Sequence, residues 1–157
     1  GPTPDGPESQ ATLTQIVERC SLLPDSVASR IHVAAVSMDD REVNATVVNA
    51  VQRVSSVVTQ RSLIEAFGLT VAEAMWKKAP VVASAVGGIR DQIDDGVDGV
   101  LVDPADGTAW AEAVRDLLLF PERAREMGLA AHESVRREFL SNRHLQDLLQ
   151  IVADLVG

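Results

Sequence analysis

The sequence has a single cysteine, Cys20, in 157 residues. No intramolecular disulfide is available, and no Cys/His cluster has the spacing of zinc ligands. Aromatic residues are scarce at 3%, and tyrosine is absent. Hydrophobic residues still make up 46%, too many for a disordered segment. The core must then be built from Val, Leu, Ile and Ala, a mixture that suits buried parallel strands covered by helices. Positive charge is also in deficit: 14 Lys and Arg against 23 Asp and Glu leave a formal net charge of −9. Such a surface repels DNA, RNA and anionic lipid, so neither nucleic acid nor membrane is an expected partner. It still admits one small phosphorylated ligand, because a few local donors can hold a phosphate on an acidic protein. No apolar run is long enough to span a membrane and no signal-peptide pattern is seen, so a cytoplasmic setting is expected. Asn44-Ala45-Thr46 matches a glycosylation acceptor that only a secreted protein would use. The length suits one compact domain over residues 1–157.

Residues 1–9 are rich in Pro and Gly and read as a loop or frayed start. Leu13, Ile16, Val17 and Cys20 predict a helix over 10–22, closed by Pro24. The apolar run 31–36 reads as a strand. Asp39 and Asp40 follow as helix-opening residues for 41–54. Further strands are expected over 56–60, 80–85 and 99–102, with helices over 70–78 and 89–93 between them. From Thr108 the pattern is helical almost to the end, restarting at Pro121. Trp110, Val114, Leu117 and Leu118 share one face, and Val135, Phe139, Leu145, Leu148, Leu149 and Val152 supply further apolar positions. Near-continuous apolar strands alternating with helices define an α/β fold, Rossmann-like, in three layers, with a parallel sheet and helices on both faces. Ligands of such sheets bind where strand ends lead into helix N-termini.

The stretch richest in chemistry runs from Ser62 to Trp76, between a strand and a helix. Gly68 permits a tight turn and close approach of backbone to ligand. Leu69, Thr70 and Val71 present backbone N–H groups at the helix start, a ready anion site. Glu65 stands before the turn and Glu73 one helical turn after it. A carboxylate suits a sugar hydroxyl or a ribose diol, since it accepts from donors and can bridge two neighbours. A phosphate cradle flanked by two such acceptors is what a nucleoside diphosphate sugar requires. The competing reading is local: Thr70-Val-Ala-Glu73 is also a capping box, and from those four residues alone the cap is favoured by roughly three to one.

Glu65-x7-Glu73, with Phe67-Gly68-Leu69 inside it and Pro80-Val-Val-Ala-Ser84 and Gly87-Gly88 after it, closely resembles the retaining glycosyltransferases that include sucrose, glycogen and trehalose synthases. Asp95-Gly96-x-x-Gly99-x-Leu101-Val102 and Asp103-Pro104 fit the same family, and the resemblance runs from about residue 31 to the C-terminus. Ser37-Met38-Asp39-Asp40, Val48-Asn49-Ala50 and the block from Glu65 to Trp76 look most like the trehalose-synthase branch. There a glucosyl group passes from a nucleotide donor to glucose.

The resemblance implies a two-Rossmann-domain (GT-B) enzyme, of which this chain is the donor-binding C-terminal domain, lacking its early strands and the N-terminal acceptor domain. It implies that Glu65 is the catalytic carboxylate on the donor sugar and that Glu73 holds the ribose diol. Backbone groups of Phe67, Gly68, Leu69 and Thr70 would meet the diphosphate or sugar, and the loop after 56–60 would lie near the base. No cofactor or metal is called for; UDP- or ADP-glucose is the expected donor substrate. Retention in this family implies attack on the face that the leaving group vacates, with the diphosphate taking the acceptor's proton and the protein stabilising the departing charge. Two departures weaken catalysis in this chain. The family's early Arg and Lys, which neutralise the diphosphate, have no counterpart upstream of residue 31, where Arg19 and Arg30 have the wrong surroundings. The acceptor partner domain is absent, so the chain alone is expected to be inactive. The absent central strands also predict exposed sheet edges, closed by rearrangement or by pairing with another copy in a homo-oligomer.

Other polar residues read as structural. Asp39 and Asp40 are better helix openers than a metal pair. His32, His132 and His144 lack partners in the sequence pattern. Lys77-Lys78 complements a helix C-terminus. Arg61 and Arg90 lie near the ligand loops and are as well explained by solvent as by phosphate. Trp76 is expected in the core, and Arg136-Arg137-Glu138 on a solvated face. The rival functions are a partner-binding module that has lost turnover, and another phosphate-binding α/β protein such as a sugar-phosphate isomerase or a receiver domain. A receiver would need an acidic strand-end cluster with a lysine, an arrangement this sequence lacks.

Overall fold

The computed structural model describes residues 7–36 and 39–156. They fall into two compact units that divide after Ala50, near the last turn of a helix. The first unit holds α1 (Pro7–Ser21), α2 (Asp25–Ala28) and most of α3 (Arg41–Val54). Helix α1 begins earlier than the periodicity indicates, because Pro7 suits the first helical turn, where its missing N–H costs nothing. Asp40 caps α3: its Oδ1 accepts from the N–H groups of Glu42 (3.0 Å) and Val43 (3.1 Å). The acidic pair thus includes a helix cap, as the simpler reading held. Ser37 and Met38 lie outside the described residues.

The strand expected over 31–36 is not formed. These residues have no regular structure, and Ile31, Val33 and Val36 are exposed. An apolar run becomes a strand only when a neighbouring strand takes up its N–H and C=O groups, and no described residues offer that pairing here.

The second unit carries the sheet. Strands β1 (Val58–Gln60), β2 (Val81–Ser84) and β3 (Val100–Val102) are parallel and lie in the order β1-β2-β3. Val58 pairs with Val81 and Val82 with Val100 in register. Helix α4 (Leu69–Trp76) links β1 to β2, and α5 (Ile89–Gln92) follows β2. Helices α6 (Gly107–Leu119), α7 (Pro121–Glu138) and α8 (Ser141–Val156) complete the chain.

All four residues of β2 are buried, and their alternation divides the core in two. Val81 and Ala83 join Val71, Ala74 and Met75 of α4, Ile89, and Ala131 and Val135 of α7. Val82 faces the other way, to Val102, Trp110 and Leu117 of α6, and Ala124 and Met127 of α7. Two clusters on opposite faces of one parallel sheet make the three-layer α/β arrangement expected from the composition. Leu118, expected beside Leu117 on the apolar face, is 55% exposed, since adjacent helical residues point some 100° apart.

Short side chains and carboxylates set the connections. Gly128 lets α7 approach the Lys78 carbonyl, where any Cβ would collide. Asp106 caps α6 through bonds from Thr108 N (3.0 Å) and Ala109 N (2.9 Å). Asp98, 4% exposed, accepts from Asp94 N (2.7 Å) and Ser134 Oγ (2.6 Å), tying the turn before β3 to α7. Much of the acidic excess between residues 94 and 106 therefore serves the backbone.

Candidate functional site

The site is built where β1 and β2 end. After Gln60 the chain runs through residues 61–68 and enters α4, with Gly68 as the N-cap in the left-handed region (φ 80, ψ 57). Leu69 and Thr70 are already helical, so Thr70 is not the cap and the Thr70–Glu73 capping box does not form. Gly68 has no side chain to turn onto the helix, and no side chain caps this end. Its carbonyl accepts from Val71 N (3.0 Å) and Ala72 N (3.2 Å). Among the described residues no acceptor meets the N–H of Gly68, Leu69 or Thr70. Three donors thus remain at the positive end of an eight-residue helix. Leu69 and Thr70 are exposed.

This turn rests on the loop after β2. Gly88 N donates to the Glu65 carbonyl at 3.3 Å. A Cβ on Gly87 would fall on the Glu65 carbonyl oxygen, and one on Gly88 on that of Ala66. The glycine pair therefore allows one backbone to lie directly against another. Gln92, the last residue of α5, donates from Nε2 to the Phe67 carbonyl. The Phe67 ring meets Phe139 edge-on at 6.1 Å between centroids.

The six residues singled out in the sequence fall within the stretch 65–73, and their settings differ. Glu65 is half-buried; its Oε2 accepts from Ser62 Oγ at 3.4 Å, and Ser62 Oγ accepts from Gln60 Nε2 at 2.9 Å. Its Cγ lies 3.6 Å from the position of a Cβ on Gly68, so the carboxylate side chain adjoins the turn. Phe67 is partly exposed and Gly68 is buried. Glu73 is exposed on α4, and among the described residues no hydrogen bond ties its carboxylate to Glu65 or to the turn.

Neither arginine near the loops is free in solvent. Arg61 donates from Nε (3.1 Å) and Nη2 (2.8 Å) to the Pro104 carbonyl, and its guanidinium lies 5.8 Å from the Trp110 ring centre. It clamps the loop after β1 to the loop after β3. Arg90 Nε donates to the Ala85 carbonyl at 2.6 Å. Trp76 is 40% exposed and stacks on His132 (4.5 Å, 28°), whose Nδ1 lies 2.6 Å from the Trp76 carbonyl, so Trp76 is not the core residue expected. Lys77 does more than face a helix dipole: its Nζ donates to Gln52 Oε1 at 2.5 Å. Gln52, 5% exposed, in turn donates from Nε2 to the Thr70 carbonyl at 3.4 Å. Gln52 and Gln92 are the supports that sequence reasoning missed. One signal was present for Gln92, which shares the buried face of Ile89 and Ile93.

Residues 41–134 match the family of glycosyl transferases group 1, and the chain belongs to that family. Over 115 residues it is 49% identical to a trehalose synthase from Pyrococcus horikoshii, covering 73% of this chain and 27% of that protein. The chain thus spans about a quarter of the length of this curated relative. Among solved structures it resembles a sucrose-phosphate synthase from Thermosynechococcus elongatus, with a TM-score of 0.75 and 28% identity over 99% of this chain and 37% of that one. It shares the fold of Anabaena HepE, solved with UDP-glucose, with a TM-score of 0.71 at 18% identity over 95% of this chain and 38% of the other. The GT-B resemblance and the Rossmann-like sheet expected from the sequence are thereby established, as is kinship with trehalose synthases.

Proposed function

We propose that this chain is the donor-binding domain of a retaining hexosyltransferase that moves a glucosyl group from a nucleoside diphosphate sugar to a sugar acceptor, with glucose as acceptor and trehalose as product. The observation that carries it is the start of α4. Gly68 opens the helix with no side-chain cap, so N–H groups at its positive end stay available to an anion, between Glu65 and Glu73. In this reading the donor diphosphate lies over Gly68, Leu69 and Thr70. Glu65, held by Ser62, takes donor-sugar hydroxyls, and Glu73 takes the ribose diol. The turn's fixed donors stabilise charge as the leaving diphosphate departs, without reorganisation at that moment. The departing phosphate oxygen accepts the acceptor hydroxyl's proton, and the new glycosidic bond forms on the face that the phosphate vacates. No metal or cofactor enters this scheme.

Calorimetric titration with UDP, ADP and GDP, with Glu73→Ala as control, tests the reading. Saturable binding of one nucleotide, lost in the variant, identifies the base and the ribose contact. Absence of binding to all three refutes a donor site complete within this chain. A second reading, binding without turnover, is favoured by the arginines. Arg61 spends Nε and Nη2 on Pro104, and Arg90 directs Nε at Ala85, so these guanidinium groups are tied to the scaffold. Nucleotide binding without transfer to glucose supports that version.

A further inference from the structure

Gln92 is 3% exposed, in a position where an apolar side chain would match its neighbours Ile89 and Ile93. Its amide is only half satisfied. Nε2 donates to the Phe67 carbonyl, while Oε1 is buried with no hydrogen-bond partner. The orientation of the amide is fixed by its partner, since turning it over would set oxygen against the oxygen of Phe67. Burying an amide and leaving half of it unpaired is unfavourable, and a leucine of similar volume would avoid that cost. The polar group therefore has a purpose that packing does not supply.

That purpose follows from peptide geometry. No cis peptide bond occurs among the described residues, and in a trans peptide the C=O and the following N–H point in opposite directions. Gln92 draws the Phe67 carbonyl toward α5, so the N–H of Gly68 is turned away from α5. Gly68 supplies the other half of the arrangement: Gln92 Oε1 lies 3.4 Å from the place a Cβ would occupy, and the residue sits at φ 80. We propose that Gln92 is a positioning residue for the donor site: by holding the Phe67 carbonyl it aims the Gly68 N–H, the first donor of the anion cradle, at the diphosphate. The proposal rests on the donor-site reading given above. Gln92 touches the loop and not the substrate, so it acts through the Phe67–Gly68 peptide.

The test compares the full chain with Gln92→Leu and Gln92→Glu by UDP titration and thermal melting, together with a crystal structure of unliganded Gln92→Leu. Gln92→Leu should bind UDP about tenfold to a hundredfold more weakly, the worth of one hydrogen bond to a charged group, while a cooperative melt confirms that the variant is folded. Gln92→Glu should bind poorly at neutral pH, where a carboxylate faces the Phe67 carbonyl. It should recover relative to the unsubstituted chain in mild acid, where the protonated acid can donate again. A merely structural role would not produce that pH profile, and Gln92→Glu carries the test if Gln92→Leu fails to fold. Unchanged UDP affinity in Gln92→Leu, or no acid recovery in Gln92→Glu, overturns the proposal. If the unsubstituted chain binds no UDP, the same comparison is made with ADP and GDP; binding of none of the three fails the donor-site reading, and the crystal structure then decides the positioning claim separately. A rotated Phe67–Gly68 peptide in Gln92→Leu upholds it, and an unmoved one overturns it.

Discussion

Three glycines separate the two costs that shape the α4 turn. Gly107 stands at the start of α6 with no atom within 4 Å of a built Cβ and no positive φ, so Gly107→Ala should be neutral or stabilise by about 0.5 kcal/mol through reduced chain entropy. Gly96 has φ 79 and equally open surroundings, so Gly96→Ala meets only the left-handed backbone penalty, about 1–2 kcal/mol. Gly68 has φ 80 and would also bring its Cβ to 2.9 Å from Ile89 Cγ1, a side chain with no exposure at all. Overpacking a buried neighbour adds about 1–3 kcal/mol, so Gly68→Ala should cost about 2–5 kcal/mol. For a chain of this size that corresponds to a melting temperature lower by about 5–15 °C. Urea denaturation of the three variants gives the values directly, and subtracting the Gly96→Ala cost from that of Gly68→Ala isolates the collision with Ile89. Equal costs at Gly68 and Gly96 would refute the packing argument. A harmless Gly68→Ala would show that the turn is not left-handed, and the account of the uncapped helix start would fall with it.

Gly88→Ala places a methyl group on the Ala66 carbonyl, so it should destabilise by more than Gly96→Ala and abolish nucleotide binding in the same titrations. Asp106→Ala removes the cap of α6 and should lower stability by about 1 kcal/mol in chemical denaturation. Asp98→Ala and Ser134→Ala act on one hydrogen bond, and a double-mutant cycle should show a coupling of about 1 kcal/mol, whereas additive effects would mean the bond contributes nothing. The outer edge of β1 has no strand partner among the described residues, which predicts self-association that rises with concentration in light scattering; a monomer at every concentration would refute it.

Most elements are legible because Gly and Pro punctuate the chain and β2 and β3 are compact, mainly apolar runs. Residues 31–36 show the limit of that signal. Apolar character permits a strand but cannot supply a neighbour, and pairing is a property of the whole sheet. The capping box shows a second limit. Thr70 and Glu73 have the right identities and spacing, but the helix start is set two residues earlier by Gly68, whose left-handed backbone no spacing rule reports. Trp76 reads as core because it is an aromatic residue in an apolar segment, whereas its stacking partner His132 is distant in sequence. On α3, Val43, Val47, Val51 and Val54 are exposed while Gln52 is buried against Thr70 and Lys77.

The failed cap also bears on how an acidic chain can hold an anion. Elsewhere in the second unit, carboxylates meet backbone donors at the turns: Asp106 at the start of α6, Asp103 at Ala105, Asp95 at Leu101 and Asp98 at Asp94. Each such carboxylate satisfies a donor that could otherwise meet a ligand. The start of α4 is different because Gly68 brings no oxygen, and the adjoining carboxylate of Glu65 is bonded to Ser62 rather than to the helix N–H groups. A net charge of −9 sets the far field, which fades beyond about 10 Å at moderate salt, while hydrogen bonding acts over about 3 Å. Donor affinity in this protein should therefore depend on which backbone donors the chain leaves unoccupied more than on its overall charge. By that argument Gly68→Asp, which adds an internal cap and a left-handed strain together, should suppress nucleotide binding more strongly than Gly68→Ala at equal stability. If the two variants bind equally, backbone availability is not what governs the site.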